Sequence, residues 1–257
     1  MNQIEVTGMV LVASGIGEND RRIELLTKER GRISAFAKGA RKPTSPLVSA
    51  TNPFVFGKFT LYEGRNSNTV VHAQVENYFA ELRQDIEGAY YGFYFLELAT
   101  YYTREGNDET EMLKLLYQTF RALIKRTIPL RLVRCIFELK AMTLQGEGPQ
   151  VFQCLICGKD HFEQMGQEVL FSVPKGGVVC TECLRRCKEL ASGIRLSDSA
   201  IYTMQYIVYN RIEKLYTFRV ADGVLKELER AITKYLDSYT DKKFKTLEML
   251  KMITQDE

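Results

Sequence analysis

The sequence contains no run of about 18 consecutive apolar residues, the length needed to span a bilayer. Its first residues, Met1-Asn2-Gln3-Ile4-Glu5, lack the basic flank and apolar core of an export signal. A soluble, cytoplasmic protein with no membrane contact is expected. Histidine is nearly absent, with only His72 and His161. There is no Walker-type phosphate loop, no nucleophile elbow and no H-E-x-x-H zinc helix. Asp20 with Glu24, and Glu227 with Glu229, are paired carboxylates that read as exposed helix or loop charge rather than a metal-dependent nuclease site. No catalytic constellation is left, so a non-enzymatic role is expected. An excess of one charge is also lacking: 35 basic against 32 acidic residues leave +3, so only the local distribution of charge informs on partners.

What is present is ordinary globular composition, 45% hydrophobic, 26% charged and 11% aromatic over 257 residues, which excludes fibrous and disordered classes. Two or three domains fit this length. A chain of this size buries about 70% or more of its extended surface, so it holds a core without disulfides.

From Ile4 to about Val75 the pattern is one of short alternating strands punctuated by glycine. Strands are expected at Ile4 to Ala13, Arg22 to Leu26, Arg32 to Ala37, Phe54 to Tyr62 and Thr69 to Val75. Five strands at this length suggest a small barrel that hides its edges, most simply an OB-fold over residues 1–78. The period then becomes helical. One long helix is expected from Phe79 to Tyr102, a second from about Glu109 to Lys125, and a third to Leu144 with Pro129 in its first turn. Helices resume near Ser197 to Tyr209 and Asp222 to Tyr239, with Ser197 and Asp222 as N-caps. The fold class is therefore α+β: a five-stranded barrel, a helical domain over 79–149 and 191–257, and an insertion over 150–190.

That insertion holds five of the six cysteines. Cys154-Leu-Ile-Cys157-Gly and Cys180-Thr-Glu-Cys183 are two C-x2-C knuckles separated by 22 residues. Each presents two thiolates on one tight turn, and two such turns face to face complete a tetrahedron suited to one structural zinc ion. Gly158 lets the first turn fold back under the metal, and residues 167–179, with Pro174 to Gly177 at the turn, read as a hairpin joining the knuckles. Cys187, one helical turn after Cys183, and His161, between the pairs, could each replace a ligand, and the plainer reading is a free thiol and a surface residue. Cys135, between Val133 and Ile136, reads as core.

Charge concentrates between residues 28 and 42, where Lys28, Arg30, Arg32, Lys38, Arg41 and Lys42 face Glu29 alone. Long cations on a loop with glycine and small residues can follow a phosphate backbone and release counterions, giving affinity without base reading. A solvated basic face is the plainer alternative. Phe36 and Phe59 are candidates to stack on bases, although alternating strands more often bury such rings. A second basic stretch, Arg121, Lys125, Arg126, Arg131, Arg134 and Lys140 against Glu138, interleaves with Ile124, Leu130, Leu132, Val133, Ile136 and Phe137. It suits an apolar groove for an acidic, hydrophobic peptide, or simply helices with one wet face.

These residues also carry a resemblance. Gly17-Glu18-Asn19-Asp20-Arg21, the run from Leu25 to Pro43 ending in Lys38-Gly39-Ala40-Arg41-Lys42-Pro43, Leu61-Tyr62-Glu63-Gly64, the paired cysteines and Lys245-Thr246-Leu247 together resemble the bacterial RecO family of DNA repair and recombination mediators. Asn19 stands where the family more often has serine. The resemblance implies binding of single- and double-stranded DNA, annealing of complementary strands, and cooperation with RecR. It further implies contact with the acidic C-terminal tail of single-stranded DNA-binding protein, and indirect action on RecA, in a cytoplasmic, nucleoid-associated protein. Lys28, Arg30, Arg32, Lys38, Arg41 and Lys42 match the family's basic segment and are the DNA-contact candidates. Arg121, Lys125, Arg126, Arg131 and Arg134 are candidates for the acidic tail. Some members lack the four cysteines, so zinc would be architectural. Two other classes compete: a zinc-containing scaffold that meets DNA only through partners, and a metal nuclease or thiol oxidoreductase.

Overall fold

A computed structural model describes residues 2–64, 67–160, 169–186 and 193–254. Contacts divide the chain into two compact units, Met1–Ile124 with Phe244–Glu257, and Lys125–Lys243.

The first unit begins with five strands: β1 (Asn2–Ile16), β2 (Asp20–Thr27), β3 (Gly31–Ala37), β4 (Phe56–Glu63) and β5 (Asn68–Asn77). They form a closed barrel in the order β1-β2-β3-β5-β4, the five-stranded OB-fold expected. Closure depends on the length of β1, whose Asn2–Met9 half pairs with β4 and whose Gly8–Ile16 half pairs with β2. The two pairings overlap at Gly8 and Met9, and the β1 to β2 register shifts just beyond, between Val10 and Val12. The β3 to β5 join is short and parallel, with Ala35 beside Asn68 and Phe36 beside Thr69. Alternation then sorts the side chains. Val6, Val10, Ile23, Leu25, Ile33, Ala35, Phe59, Leu61 and Val70 point inward and are buried, while the residues between them face outward.

A short helix α1 (Leu47–Ala50) follows β3. It is tied to the barrel by Arg21, whose Nη1 donates to Val48 O, Thr51 Oγ1 and Asn52 Oδ1 at 2.9, 3.0 and 2.9 Å. The expected single helix over 79–102 is instead two, α2 (Ala80–Gln84) and α3 (Ile86–Tyr102), because Asp85 takes an extended conformation with φ −110° and ψ 104°. A short polar side chain that competes for its own backbone favours such a break. Helix α4 (Thr110–Lys125) follows, and α9 (Lys245–Thr254) returns to this unit. Phe244 packs against Tyr94 and Tyr101 of α3, and Thr246 donates through N and Oγ1 to Glu97. The turn between β2 and β3 lies against the loop after α3. Arg32 N donates to Arg104 O and Gly106 N to Arg30 O, both at 3.0 Å.

The second unit holds α5 (Leu130–Leu144), a three-stranded sheet in the order β7-β6-β8, α6 (Thr181–Arg186), α7 (Asp198–Tyr209) and α8 (Asp222–Tyr239). The sheet is β6 (Val169–Ser172), β7 (Gly177–Val179) and β8 (Ile194–Leu196). Residues 173–176 turn between β6 and β7, as the Pro174 to Gly177 pattern indicates. Ser197 caps α7 by accepting from Ala200 N. Two end assignments change. Pro129 is the N-cap of α5 rather than a first-turn residue, and Ala221 caps α8 with Asp222 as its first helical residue. Among the described residues no helix is long and apolar enough to cross a membrane.

Gly31 starts β3 with φ +65°, and a Cβ there would lie 2.3 Å from Arg104 O and 2.8 Å from Asn107 O. Gly31→Ala should therefore destabilise the protein by about 3 kcal/mol, from left-handed strain plus backbone overlap. Gly17→Ala, with φ +56° and nothing within 4 Å, should cost about 1 kcal/mol. Denaturant unfolding of the two variants measures the difference, and equal losses would contradict the packing described for Gly31.

Candidate metal centre and nucleic-acid surface

Backbone pairing assembles the cysteine site. Gln150 bridges to Gly177, and Leu155 N donates to Val178 O at 2.9 Å, which lays the first knuckle along β7. The knuckle turns at Gly158, φ +67°, whose N–H donates to Cys154 O at 2.9 Å. Cys180 follows β7 directly and Cys183 sits early in α6. All four sulfurs lie within 4.8 Å of one another, with Cys157 Sγ 3.8 Å from Cys180 Sγ. A tetrahedral site with metal–sulfur bonds of about 2.3 Å has edges of about 3.8 Å. The donor set and its spacing therefore suit one metal ion. Cys154, Cys180 and Cys183 are buried and Cys157 is exposed. Lys159, after the first knuckle, bonds Glu182 of α6 at 3.1 Å. His161 and Cys187 lie outside the described residues.

The thiols are not alike. Burial pushes Cys154 upward, but hydrogen bonds from the backbone of Cys180, Cys157 and Ile156 outweigh it and bring the group down to about 7. Burial, joined by the neighbouring sulfurs, raises Cys183, and burial also raises Cys180. Cys135 is fully enclosed in α5, away from this chemistry, and burial raises its thiol well above the usual range.

The six cations of the basic segment do not share one surface. Lys28 and Arg30 belong to the β2 to β3 turn, whereas Lys38, Arg41 and Lys42 follow the far end of β3. Six residue steps along that strand separate the groups by about 20 Å. Arg30 pairs with Glu63 at 3.2 Å on the surface. Arg32 pairs with Glu24 at 2.6 Å and donates to Thr103 O at 3.1 Å. Lys38, Arg41 and Lys42 are exposed. Their loop is held against the β1 to β2 tip, where Gly39 N donates to Asp20 Oδ1 at 2.7 Å, Arg41 N to Asn19 O at 2.9 Å and Arg41 Nη1 to Gly17 O at 2.9 Å. Phe59 is core, at 0% exposure, while Phe36 points outward and is half-buried.

The second basic stretch departs from expectation. Leu130, Leu132, Val133, Ile136 and Phe137 are buried, because α5 is enclosed nearly all round, and they leave no apolar groove between the cations. Arg134 is itself buried beside Glu138, and Arg131 is bound by Glu229 of α8. Lys140 donates to Val208 O and Asn210 O, both at 2.9 Å. Arg121, Lys125 and Arg126 are exposed. The carboxylate pairs are likewise not loose surface charge. Glu229 holds Arg131, Glu227 accepts from Ser197 N at 2.7 Å, Asp20 braces Gly39 and Glu24 holds Arg32.

Comparison with known proteins covers both units. Residues 1–79 match the family described as Recombination protein O N terminal, and residues 83–248 match Recombination protein O C terminal. The chain belongs to the RecO family. The DNA repair protein RecO of Acetivibrio thermocellus is 31% identical over 254 residues, 98% of each chain. Those of Alkaliphilus metalliredigens and Symbiobacterium thermophilum are 29% identical over 252 residues and 30% over 246, covering 97% and 95% of this chain and 99% and 95% of theirs. Membership supports a role in DNA repair and recombination. One feature of this RecO family member went unnoticed in sequence: Phe152, Tyr202, Tyr206 and Tyr209 line a cleft of about 550 Å3 in the second unit. The spacing of Tyr202, Tyr206 and Tyr209 along α7 is the signal that could have found it.

Purified protein should carry one metal ion per chain by elemental analysis, and Cys154→Ser should lose it. Uptake must displace protons from Cys180 and Cys183, so affinity should fall as pH falls, and more steeply below about 7, where Cys154 also holds its proton. Competition with a chromophoric chelator at alkaline and acid pH measures the slope. Metal retained by Cys154→Ser, or pH-independent affinity, would exclude these four ligands.

Proposed function

We propose that the chain is a non-enzymatic recombination mediator. It binds single- and double-stranded DNA, anneals complementary strands and, with RecR, helps load RecA onto single strands covered by single-stranded DNA-binding protein. The observation that carries this reading is the exposed Lys38, Arg41 and Lys42 loop at one end of an OB-fold barrel, in a chain whose relatives are named DNA repair proteins along its whole length. In this reading the parts are divided by role rather than by compact unit: residues 1–78 engage DNA, the helical residues 79–149 and 191–257, which both units share, serve partner contacts, and residues 150–190 form a zinc-stabilised insertion. Zinc fits the donor set, because four thiolates fill a tetrahedral sphere and leave no position for a substrate. Zinc would supply folding free energy to the knuckles, while the cations supply binding. The protein works in the cytoplasm, at the nucleoid.

Annealing requires two strands to be held near each other without being locked. Exposed lysines and arginines screen the repulsion between phosphates and exchange quickly, which leaves bases free to pair. Lys38, Arg41 and Lys42 carry the larger share of this contact. Arg30 lies at the opposite end of β3 and is outside that contact; its surface ion pair with Glu63 is worth under about 1 kcal/mol and leaves it available to a separate stretch of DNA. Arg32 is committed to Glu24 and Thr103 and serves the barrel instead. For the acidic tail of single-stranded DNA-binding protein the exposed Arg121, Lys125 and Arg126 are the candidates, ahead of Arg131 and Arg134. The competing scaffold reading predicts no salt-dependent binding of DNA by the chain alone.

Fluorescent complementary strands, mixed with purified metal-analysed protein across a salt series, provide the test. Salt-sensitive binding with faster annealing and no strand cleavage is expected. Replacing Lys38, Arg41 and Lys42 together by alanine should weaken binding and flatten the log–log salt slope by about 2 units on single strands. An unchanged slope would remove this loop from the interface, and absence of DNA binding even at low salt would favour the scaffold.

A further inference from the structure

The register of the barrel brings together residues that are far apart in sequence. Across successive strands, Ser14 of β1 lies beside Arg22 of β2, Arg22 beside Phe36 of β3, Phe36 beside Thr69 of β5, Thr69 beside Tyr62 of β4, and Tyr62 beside Gln3 of β1. Every member faces outward, since the flanking Ile23, Ala35, Leu61 and Val70 all enter the core. The rung thus carries two aromatic rings and one cation on the outer surface. Tyr62 is 40% exposed, Phe36 is half-buried and Arg22 is exposed. Arg22 Nε donates to Ser34 Oγ at 2.9 Å, which holds the guanidinium over β3, on the outward row that Ser34 and Phe36 share.

We propose that this rung is the path of an extended single strand of DNA, with separate bases stacked on Phe36 and Tyr62 and a phosphate taken by Arg22. The inference rests on the DNA-binding reading and adds to it a surface that distinguishes single strands from duplex. Phe36 and Tyr62 are two strand spacings apart, about 10 Å, so each ring receives its own base. Charge complementarity selects the occupant. Lys38 continues the outward row of β3 two residues beyond Phe36, Arg41 and Lys42 follow it, and the nearby Glu24 is already held by Arg32. An aromatic ring stacks on any unpaired base, whatever its identity, whereas bases inside a duplex offer no free face. The cationic loop therefore grips either form of DNA, and the rung adds affinity only where bases are unpaired.

The test uses the full chain, with Phe36→Leu and Tyr62→Leu made singly and together. Binding is compared on a short oligothymidylate, an abasic oligomer of equal length and a duplex. Each substitution should weaken oligothymidylate binding by roughly 5- to 100-fold, with abasic and duplex binding and the salt slope unchanged. Equal losses on all three ligands, or no loss on oligothymidylate, would overturn the proposal. Photocrosslinking of the unsubstituted protein to an iododeoxyuridine strand tests it without relying on the folding of the variants. Adducts at Phe36 or Tyr62 support the path, and adducts confined to other residues refute it. If the unsubstituted chain binds none of the three ligands, the DNA-binding reading itself falls. If it binds all three equally, only the rung does.

Discussion

Strand β1 is hydrogen-bonded along both edges, to β2 and to β4, and most of what the first unit presents depends on that double pairing. A closed barrel has no free edge to pair with another chain. It also makes the inside-to-outside alternation obligatory, because a register slip of one residue would drive Arg22, Glu24 and Ser34 into the space filled by Ile23, Leu25 and Ile33. Closure therefore decides which cations lie at which end of the barrel and which rings share a rung.

Within that frame, the charge of the basic segment is used in two ways. At the β2 to β3 turn the backbone is bonded to the loop after α3, and Arg32 is spent on Glu24 and Thr103. At the other end, backbone bonds shape the loop while the side chains of Lys38, Arg41 and Lys42 remain at the surface. The metal site is organised by the same logic. β7 receives the first knuckle along one edge and hands the chain to the second at its end, so the sulfurs are positioned by sheet hydrogen bonds.

Much of this was legible in the amino-acid sequence. Period-two alternation located all five strands of the barrel, and the knuckle spacing named Cys154, Cys157, Cys180 and Cys183, because ligand geometry is local to each turn. What local pattern does not carry is enclosure. The cations of α5 look like a wet face in sequence, yet Arg134 and Lys140 are buried and bonded, since a helix surrounded by others must satisfy its charges internally. The strand expected at Arg32 to Ala37 already divides the run of like charge, and β3 carries its two halves to opposite ends. Phe36 and Phe59 are similar in sequence context, and only register tells that one faces outward and the other inward. The break at Asp85 is of a different kind, a local backbone preference overriding a continuous apolar period.

The return of α9 to the first unit has a consequence for biosynthesis. Because residues 125–243 form a unit of their own, the ribosome delivers that whole unit between α4 and the helix that covers α3. Until Phe244, Leu247 and Leu250 emerge, the aromatic side of α3 around Tyr94 and Tyr101 waits without its cover. The barrel can close early from contiguous strands, but the unit that contains it is completed only once α9 has been translated, after the residues of a second unit have been made in the interval.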